Sequence, residues 1–335
     1  MSDPPPTVGL TRKVEKLRVV SLFSGAGGLD LGLIRAGHEI IWANDFDSDA
    51  VETYRTNIGP HIKLGSIEDI PSDAIPEADV VVGGFPCQGF SHANKMRAWQ
   101  DPRNRLYRQF IRVLIDKQPK YFIAENVRGL TTLDGGKAYA SIQAGFEEAG
   151  YRVRAQVLNA ADFGVPQKRH RVIFLGTRVD LPAAADLAHP TPTHSRAGED
   201  GLHAWITVRQ ALAAVPDPVA DPEVVPNQEF SKYKFVERDF TGHRSTDWAK
   251  PAPTILARGN GGGGVNATPH PDGTRRMSVR ESASLQSFPL DFAFVGRLGS
   301  AYRQVGNAVP VKLGEALGGS LAEAEMATEA GKAMV

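Results

Sequence analysis

The sequence predicts an α/β fold with a doubly wound, mostly parallel sheet. Between residues 17 and 178, short apolar segments of strand length alternate with segments of helical pattern, as in repeated βα units. Several of the apolar segments end in glycine or in polar residues, and ligands bind at the carboxyl ends of strands in such sheets. After residue 178 prolines and polar residues interrupt the pattern. We therefore expect a second, smaller and irregular domain.

Each predicted element has a local justification. The strands are short apolar runs, of which Val80, Val81 and Val82 are typical of a strand buried on both faces. The helices are longer and carry apolar residues at helical spacing. The predicted strands are 17–23, 39–44, the start of 62–70, 80–82, 121–124, 152–158 and 171–177, and the predicted helices are 106–117, 138–149, 207–214, 278–288 and one begun by Pro310.

The first strand runs into a glycine-rich loop at residues 24–28 and then into a helix that ends near Ala36. Glycine lets a backbone approach a ligand closely, and the start of a helix favours electronegative groups. The order of elements indicates a nucleotide-cofactor site, although the spacing is not the usual Gly-x-Gly-x-x-Gly. A tight turn with no ligand is the alternative.

The second strand ends in Asp45 and Phe46. An acidic residue at this point commonly holds ribose hydroxyls, and an aromatic residue beside it can stack on adenine. A helix cap and a core aromatic residue are the alternative interpretation.

Cys87, the only cysteine, follows the strand at 80–82 and Pro86. A lone cysteine is commonly a small buried hydrophobe. Here Pro86 fixes the backbone before the thiol, and Gly89 and Ser91 favour an exposed loop. Cys87 is therefore a candidate nucleophile.

Two further polar motifs are expected at the same edge of the sheet. Glu125 follows the strand at 121–124, where a carboxylate is costly unless it is hydrogen-bonded or functional; a cap for the turn at Arg128 is the alternative. Gln167, Arg169 and Arg171 alternate before an apolar run, so strand geometry would place three donors on one face. A surface basic patch is the alternative there.

Composition bounds the class of protein. The 335 residues are 41% hydrophobic with zero formal net charge, and one cysteine excludes a disulfide scaffold or a cysteine-rich zinc site. The start lacks an apolar run typical of a signal peptide and no stretch approaches membrane-spanning length, so we expect a cytoplasmic protein. Residues 95–112 hold six bases and one acid, directly after the nucleophile loop. A polyanionic substrate there is expected, with a solvated helix face as the alternative.

In this order the motifs resemble those of the DNA (cytosine-5) methyltransferases, over nearly the whole chain. Six motifs match in sequence order, which makes chance agreement negligible. The clearest departure is Ser66, where many members carry an aspartate directed at the adenine amino group; Glu68 or backbone would substitute. The matching segments are 23–28, 86–88, 125–127, 167–171, 280–289 and 306–310.

The resemblance implies three sets of site residues. The catalytic set is Cys87, Glu125, Arg169 and Arg171. The residues expected to bind S-adenosylmethionine are Phe23, Ser24, Gly25, Gly27, Gly28, Asp45, Phe46, Ser66, Ile67, Pro86, Leu106, Asn307 and Ala308. The residues expected to bind DNA are Gln88, Ser91, Arg97, Arg103, Arg258 and Asn260. No metal is expected.

The resemblance also implies how the chain is organised and what it does. A lead-in, 1–16, precedes a methyltransferase domain formed by 17–178 and 298–335, and a target-recognition domain occupies 179–297. The expected activity is methylation of C5 of a flipped cytosine in a short duplex DNA sequence. The expected partners are double-stranded DNA and a cognate restriction endonuclease, with a monomeric, nucleoid-associated enzyme in a bacterial cytoplasm.

Three rivals remain at this point. A relative that methylates tRNA shares the catalytic motifs, and the large glycine-rich basic insert favours duplex DNA over it. A non-catalytic DNA-binding homologue is disfavoured by the intact Cys87 and Glu125. An NAD-dependent oxidoreductase is disfavoured by the atypical glycine spacing.

Overall fold

A computed structural model describes residues 16–85, 105–232, 246–257 and 268–332. Seven of its strands form one sheet in the order β3-β2-β1-β4-β5-β7-β6. All neighbouring pairs are parallel except those that involve β7, which is antiparallel to both β5 and β6. The predicted doubly wound, mostly parallel sheet is confirmed. The strands are β1 (Arg18–Leu22), β2 (Glu39–Asp45), β3 (Ile62–Leu64), β4 (Val80–Gly83), β5 (Tyr121–Val127), β6 (Tyr151–Asn159) and β7 (His170–Arg178).

Helices cover both faces of the sheet, and each face has its own hydrophobic core. One core joins Val19 and Leu33 to Leu317 near the end of the chain, and the other joins Val20 to Phe110 and Phe146. Successive β1 residues enter opposite cores because strand side chains alternate between faces. The helices are α1 (Gly28–Arg35), α2 (Ser48–Asn57), α3 (Arg105–Lys117), α4 (Lys137–Glu148), α5 (Val208–Leu212), α6 (Val279–Ser284), α7 (Leu298–Asn307) and α8 (Val311–Lys332), and two short strands, β8 (His194–Ser195) and β9 (His203–Ala204), form a separate pair.

The last helix, α8, packs closely on the first helix, α1. A Cβ atom at Gly314 would lie only 2.8 Å from the carbonyl oxygen of Leu29, so glycine is what allows the two backbones to approach. His38 Nε2 also lies 2.9 Å from the Gly318 carbonyl oxygen. The end of the chain therefore completes the layer that the first βα unit begins.

A third core lies beside the sheet. Phe288, Phe292, Phe294 and Tyr302 form its aromatic centre, and Trp248 packs at its border. Trp205, also in the segment after residue 178, instead donates from Nε1 to Asp162 Oδ1 at 2.8 Å. Phe292 and Phe294 lie in an irregular segment with no helical or strand period, so the sequence pattern did not single them out.

Most predicted boundaries fall within a few residues of the observed ones, with three differences. Strand β5 continues through Val127, so Glu125 lies inside a strand and not after it. Helix α6 ends at Ser284, short of the predicted 288, and begins with a capping box of Ser278 and Glu281. Helices α2 and α7 were not predicted as separate elements.

Candidate active site

The described parts of the predicted motifs meet at one edge of the sheet. The carboxyl ends of β1 to β5 lie at this edge, and so does the amino end of β7, because β7 runs antiparallel to its neighbours. The loop after β1 carries residues 23–28, β2 ends at Asp45, and β5 carries Glu125. This is the edge at which ligands bind in open α/β sheets.

The glycine loop is fixed to the end of β2 by its backbone. Ser24 N donates to the Asn44 carbonyl oxygen at 3.0 Å, and Gly25 N donates to Asp45 Oδ2 at 2.8 Å. Gly25 has a φ of +55°, and a Cβ atom there would meet nothing within 4 Å. The loop thus presents backbone to open space, as a site for a bound cofactor requires.

The far side of the same loop contacts the chain near its end. A Cβ atom at Gly28 would lie 2.3 Å from the Val309 carbonyl oxygen and 3.3 Å from Ala308 Cβ. Ala308 is buried in this contact, whereas the neighbouring Asn307 is exposed. The segment after α7 therefore lies beside the glycine loop, with one of its two predicted cofactor residues facing outward.

Asp45 and Phe46 have opposite environments. Asp45 is 8% exposed, and burial raises the pKa of its carboxyl group although it accepts hydrogen bonds from Gly25 N and Asp47 N. Phe46 is 68% exposed. The alternative of a core aromatic residue beside a helix cap is wrong, because Phe46 lies at the surface and Asp47 is the residue that caps α2. An exposed aromatic ring beside the loop is suited to stacking on a flat ligand.

Ser66 and Ile67 follow β3. Ser66 Oγ accepts a hydrogen bond from Glu68 N at 3.3 Å, and Ile67 is buried in the core that also contains the half-buried Leu106. Arg112 Nη2 donates a hydrogen bond to the Ile67 carbonyl oxygen at 2.9 Å. The Ile67 side chain therefore supports this edge from below, and Ser66 is the member of the pair with an accessible polar group.

Glu125 and Arg171 form an ion pair. Arg171 Nε lies 2.7 Å from Glu125 Oε1, and the two side chains are 11% and 10% exposed. The β5/β7 register pairs Arg171 with Val127, and Glu125 projects from the same face two residues earlier. Two opposite charges, mostly withdrawn from water, thus fix each other's geometry.

The end of β4 lies next to this pair and leads into the segment that carries Cys87. A Cβ atom at Gly84 would lie 3.0 Å from Glu125 Oε2, and Asn126 Nδ2 donates to the Phe85 carbonyl oxygen at 2.9 Å. Because residues 86–104 follow directly, Pro86, Cys87, Gln88, Ser91, Arg97 and Arg103 lie outside the described residues.

Gln167 and Arg169 precede β7 and Arg171 lies in it, and all three side chains are buried, so the alternative of a surface basic patch is wrong. Arg169 is 1% exposed, and its terminal nitrogens donate to the carbonyl oxygens of Ile255, Gly306 and Ala308 at 2.9 to 3.0 Å. Gln167 is also buried; its Nε2 donates to the Leu285 carbonyl oxygen, and its Oε1 accepts from Ile255 N. Of the three, Arg171 alone contacts Glu125, and the other two connect the sheet to the chain after residue 250.

Two arginines in segments expected to approach DNA make their hydrogen bonds within the protein. Arg112, in the basic segment 95–112, donates to the carbonyl oxygens of Ile67 and Ile70. Arg275, in the expected recognition domain, makes a two-nitrogen ion pair with Glu281 at 2.7 Å. Arg258 and Asn260 lie outside the described residues.

Cations that the sequence did not single out lie near the Glu125 pair. Arg128 and Lys168 are exposed, and their charges, with that of Arg171, act on His170. Burial lowers the pKa of His170, and these cations lower it further. Lys168 Nζ lies 5.2 Å from the ring centre of Trp205. The signal that could have found Lys168 is its place inside the 167–171 motif.

The described residues contain neither a metal-binding cluster nor a membrane-spanning helix. No group of three or more histidine, cysteine, aspartate or glutamate residues there is arranged to hold a metal ion. No helix in the described part of the chain is long and apolar enough to cross a membrane.

Solved structures share this fold at low identity. A putative DNA modification methyltransferase encoded within an Escherichia coli prophage superposes with a TM-score of 0.69 at 23% identity, over 91% of this chain and 98% of the other. The Schizosaccharomyces pombe Dnmt2 methyltransferase superposes with a TM-score of 0.68 at 20% identity, over the same shares. These similarities establish the architecture.

Sequence relatives are closer. The Type II methyltransferase M.NgoFVII of Neisseria gonorrhoeae is 42% identical over 324 residues, which cover 90% of this chain and 85% of the relative. M.FnuDI of Fusobacterium nucleatum, also a Type II methyltransferase, is 37% identical over 323 residues, which cover 89% and 92%. The family model for C-5 cytosine-specific DNA methylases matches residues 17–323. The chain thus belongs to the C-5 cytosine-specific DNA methylase family and is a DNA (cytosine-5) methyltransferase.

Proposed function

We propose that this enzyme transfers a methyl group from S-adenosylmethionine to C5 of a cytosine rotated out of duplex DNA, through a covalent bond between Cys87 and C6 of the base. The observation that carries the proposal is the ion pair of Glu125 and Arg171 beside the end of β4. Cys87 follows the end of β4 in the sequence, three residues after Gly84. Nucleophile and charge-stabilising groups therefore start from adjacent strands.

The residues around the glycine loop fit S-adenosylmethionine. Open space faces Gly25, the exposed Phe46 ring offers a surface for adenine, and the Asp45 carboxylate at the end of β2 is in the position that commonly holds ribose. Ser66 and the exposed Asn307 supply polar groups on either side. When bound, this cofactor supplies an electrophilic methyl group. Phe23 and Leu106 would border the site, and Pro86 would lie at its entrance to the nucleophile loop.

The chemistry explains why a thiol and a carboxyl group are both required. Cytosine C5 is a weak nucleophile, so the Cys87 thiolate adds to C6 and displaces the electron pair of the C5–C6 bond toward C5 and N3. Glu125, which is ionised in its pair with Arg171, takes up a proton from water when the base binds and donates it to N3 as this charge develops. C5 would then accept the methyl group, and transfer of the C5 proton to water, with breakage of the C6–S bond and departure of the Cys87 thiolate, restores the ring.

Arg171 has two tasks in this scheme. Its guanidinium holds Glu125 in place and has further donors available for O2 of the base. We infer that Arg169 acts at a distance, because its terminal nitrogens are committed to three backbone carbonyl groups. Arg169 is therefore a positioning residue, which changes the role that the family resemblance implies for it.

Base flipping follows from the geometry of duplex DNA. A stacked cytosine does not expose C5 and C6 to a pocket at a sheet edge, so the base must leave the helix. The exposed Arg128 and Lys168 beside the pair are suited to the phosphates that flank the target. Arg97 and Arg103 would grip phosphates from the segment that carries Cys87, and Gln88 and Ser91 would contact the vacated site.

Sequence choice is assigned to the insert between the motifs. The cofactor residues, the catalytic residues and the phosphate-binding cations placed above act on groups that are the same at any DNA site. Neighbouring bases must be recognised elsewhere, and 179–297 carries donors such as Arg258 and Asn260. We therefore divide the chain into a catalytic domain of 17–178 with 298–335 and a recognition domain of 179–297. Because its relatives are Type II methyltransferases, we place the enzyme in a restriction-modification system.

Bisulfite sequencing of DNA and tRNA from cells that express the protein tests the reaction and the substrate together. The expected result is a cytosine that is fully protected from bisulfite conversion at one short DNA sequence. This protection should be absent in cells that express Cys87→Ala. Methylated tRNA with unmarked DNA would contradict the proposal. Replacing 215–253 with the matching segment of a relative of different specificity should change the methylated sequence; an active chimera that still marks the parental site would place recognition elsewhere.

A further inference from the structure

A buried carboxylate that the chemistry above does not use lies beneath the glycine loop. Asp30, in the first turn of α1, has no exposed surface. Its Oδ1 accepts from Ser21 Oγ at 2.7 Å, and its Oδ2 accepts from Tyr54 Oη at 2.8 Å. No cation pairs with it: the described groups that touch the carboxylate are these two hydroxyls.

The hydrogen bonds continue from Asp30 into the loop. Ser24 Oγ lies 3.0 Å from Ser21 Oγ and 3.1 Å from the Ser21 carbonyl oxygen. Asn44 N, at the end of β2, donates to Ser24 Oγ at 3.3 Å. Ser24 begins the turn that ends at Gly27, whose N donates to the Ser24 carbonyl oxygen at 2.9 Å. An uninterrupted series of polar contacts therefore links Asp30 to the expected cofactor loop.

The ionised carboxylate sets the direction of every bond in this series. A carboxylate only accepts, so Ser21 must give its single hydroxyl hydrogen to Asp30. Ser24 must then be the donor toward Ser21. On the other side Tyr54 gives its hydrogen to Asp30, so His61 Nε2, 3.2 Å from Tyr54 Oη, must donate to the tyrosine.

Tyr54 also shapes the loop by contact. A Cβ atom at Gly27 would lie 2.2 Å from Ile58 Cδ1 and 2.9 Å from Tyr54 Cδ2, so these two side chains fill the space under that glycine. The loop is thus held by the Ser21–Asp30 pair, by the Tyr54 ring and by the Asp45 carboxylate that accepts from Gly25 N. Two aspartates, one below and one beside the loop, fix its path.

The cost of this arrangement argues against a purely structural role. An ionised carboxylate with no exposed surface and no cationic partner is expensive to bury. An asparagine of the same shape fills the same space without a charge. Its amide nitrogen can only donate, however, so either the Ser21 or the Tyr54 hydroxyl would have to accept a hydrogen bond instead of donating one. What the carboxylate provides and the amide does not is a fixed orientation for both hydroxyls.

Building on the proposed use of S-adenosylmethionine, we propose that Asp30 is a positioning residue for this cofactor: its carboxylate orients Ser21 and Ser24 and so fixes the backbone of the glycine loop in its binding conformation. Asp30 touches no substrate in this scheme and acts through the two serines. Its loss weakens the cofactor site while the Glu125 and Arg171 pair on β5 and β7 stays intact.

The test is calorimetric titration of S-adenosylhomocysteine into the wild type, Asp30→Asn, Ser21→Ala and Tyr121→Phe. The last is a control for the loss of a buried, hydrogen-bonded hydroxyl group: Tyr121 Oη lies 2.9 Å from Thr328 Oγ1, at the amino end of β5 and so at the edge of the sheet opposite the loop. We expect Kd to rise roughly tenfold in Asp30→Asn and Ser21→Ala, the effect of losing about one hydrogen bond. Tyr121→Phe should stay within about twofold.

Kinetics separate positioning from general loss of structure. In Asp30→Asn the KM for S-adenosylmethionine should rise by the same factor as Kd, with kcat at saturation and the KM for DNA unchanged. The double variant Asp30→Asn/Ser21→Ala should bind S-adenosylhomocysteine as weakly as either single variant, since both substitutions interrupt the same series of hydrogen bonds. Wild-type Kd in a folded Asp30→Asn would overturn the inference, and so would wild-type Kd in Ser21→Ala if the first variant fails to fold. Absence of binding in the wild type would instead contradict the proposed cofactor.

Discussion

Arg171 Nε and Glu125 Oε1 lie 2.7 Å apart, on adjacent antiparallel strands and diagonal to each other in the register. The pair exists only because β7 reverses direction in an otherwise parallel run of strands, which brings its amino end to the carboxyl end of β5. Each charge is held by the other in a site that excludes most water. The arrangement is ready before substrate binds, as electrostatic stabilisation of a developing charge requires.

Replacing Glu125 with glutamine tests its proposed role at N3. Glu125→Gln keeps the shape of the side chain and removes its acidic proton, so kcat should fall by roughly 10² to 10⁴, with DNA affinity retained. The control is Glu325→Gln: Glu325 is also a buried, ion-paired glutamate, 2.7 Å from Lys120 Nζ, but lies on α8. That variant should lose stability and keep the wild-type rate per folded molecule. Equal kcat in both variants would remove Glu125 from the chemistry.

Arg169 is expected to matter for stability more than an arginine at the surface. Arg169→Met keeps an apolar stem and leaves the carbonyl oxygens of Ile255 and Gly306 without this donor, while that of Ala308 keeps a longer contact with Gln286 Nε2 at 3.4 Å. Since each unsatisfied buried group costs about 1 to 3 kcal/mol, the free energy of unfolding should fall by about 3 kcal/mol or more. Arg196→Met, at an exposed position, should change it by less than about 0.5 kcal/mol. Urea denaturation measures both; indistinguishable midpoints would show that the Arg169 contacts are dispensable.

Two glycines of α8 test whether this helix completes the catalytic domain by close packing on α1. A Cβ atom at Gly314 would meet Leu29 backbone, whereas one at Gly319 would meet nothing within 4 Å. Gly314→Ala should therefore destabilise the protein by about 1 to 3 kcal/mol. Gly319→Ala should stabilise it by up to about 1 kcal/mol through helix propensity. Thermal unfolding that shifts in the same direction for both variants would contradict the packing.

Asp30 should make the protein less stable as pH rises. Burial raises the pKa of its carboxyl group from 3.8 to about 6, and the hydrogen bonds from Ser21 and Tyr54 only partly oppose this. Between those values the unfolded chain releases the proton while the folded chain keeps it, so the free energy of unfolding falls by about 3 kcal/mol between pH 4 and 6 and then levels. The neighbouring titratable groups are Tyr54 and, behind it, His61.

Asp30→Asn lacks this titration. Its free energy of unfolding relative to the wild type should therefore rise by up to about 3 kcal/mol from pH 4 to pH 7, as measured by urea denaturation at several pH values. A variant that is more stable at neutral pH and yet binds S-adenosylhomocysteine more weakly would separate the positioning role from a structural one. If the free energies of unfolding of the two proteins change with pH in parallel, burial does not disfavour the ionised form of Asp30.

The elements with a clear period were predictable from sequence, and so were the motifs at strand ends. Val80 to Val82 and the apolar run of β7 could only be buried strands, and the loop after β1 required glycine. The capping box at Ser278 and Glu281 was also predictable, because its signal is local.

What depended on distant contacts was not predictable. Arg169 and Arg171 look equivalent in the sequence, two residues apart, but Arg169 donates to three backbone carbonyl groups and Arg171 pairs with Glu125. These partners come from segments far away in the chain. Asp30 carried no sequence signal, because its partners Ser21 and Tyr54 come from a strand and from another helix. The phenylalanines of the third core come together through packing and not through a periodic pattern.

The covalent step at Cys87 is the centre of the proposed mechanism, and trapping it is the most direct measurement. A duplex with 5-fluorocytosine at the methylated position is incubated with the enzyme and S-adenosylmethionine, then separated under denaturing conditions. Fluorine at C5 cannot leave as a proton does, so the thiolate stays attached to C6. The expected result is a denaturation-resistant adduct that maps to Cys87 and is absent in Cys87→Ala, which still binds the duplex. An adduct that persists in Cys87→Ala, or a wild type that methylates ordinary DNA but forms no adduct, would contradict the mechanism.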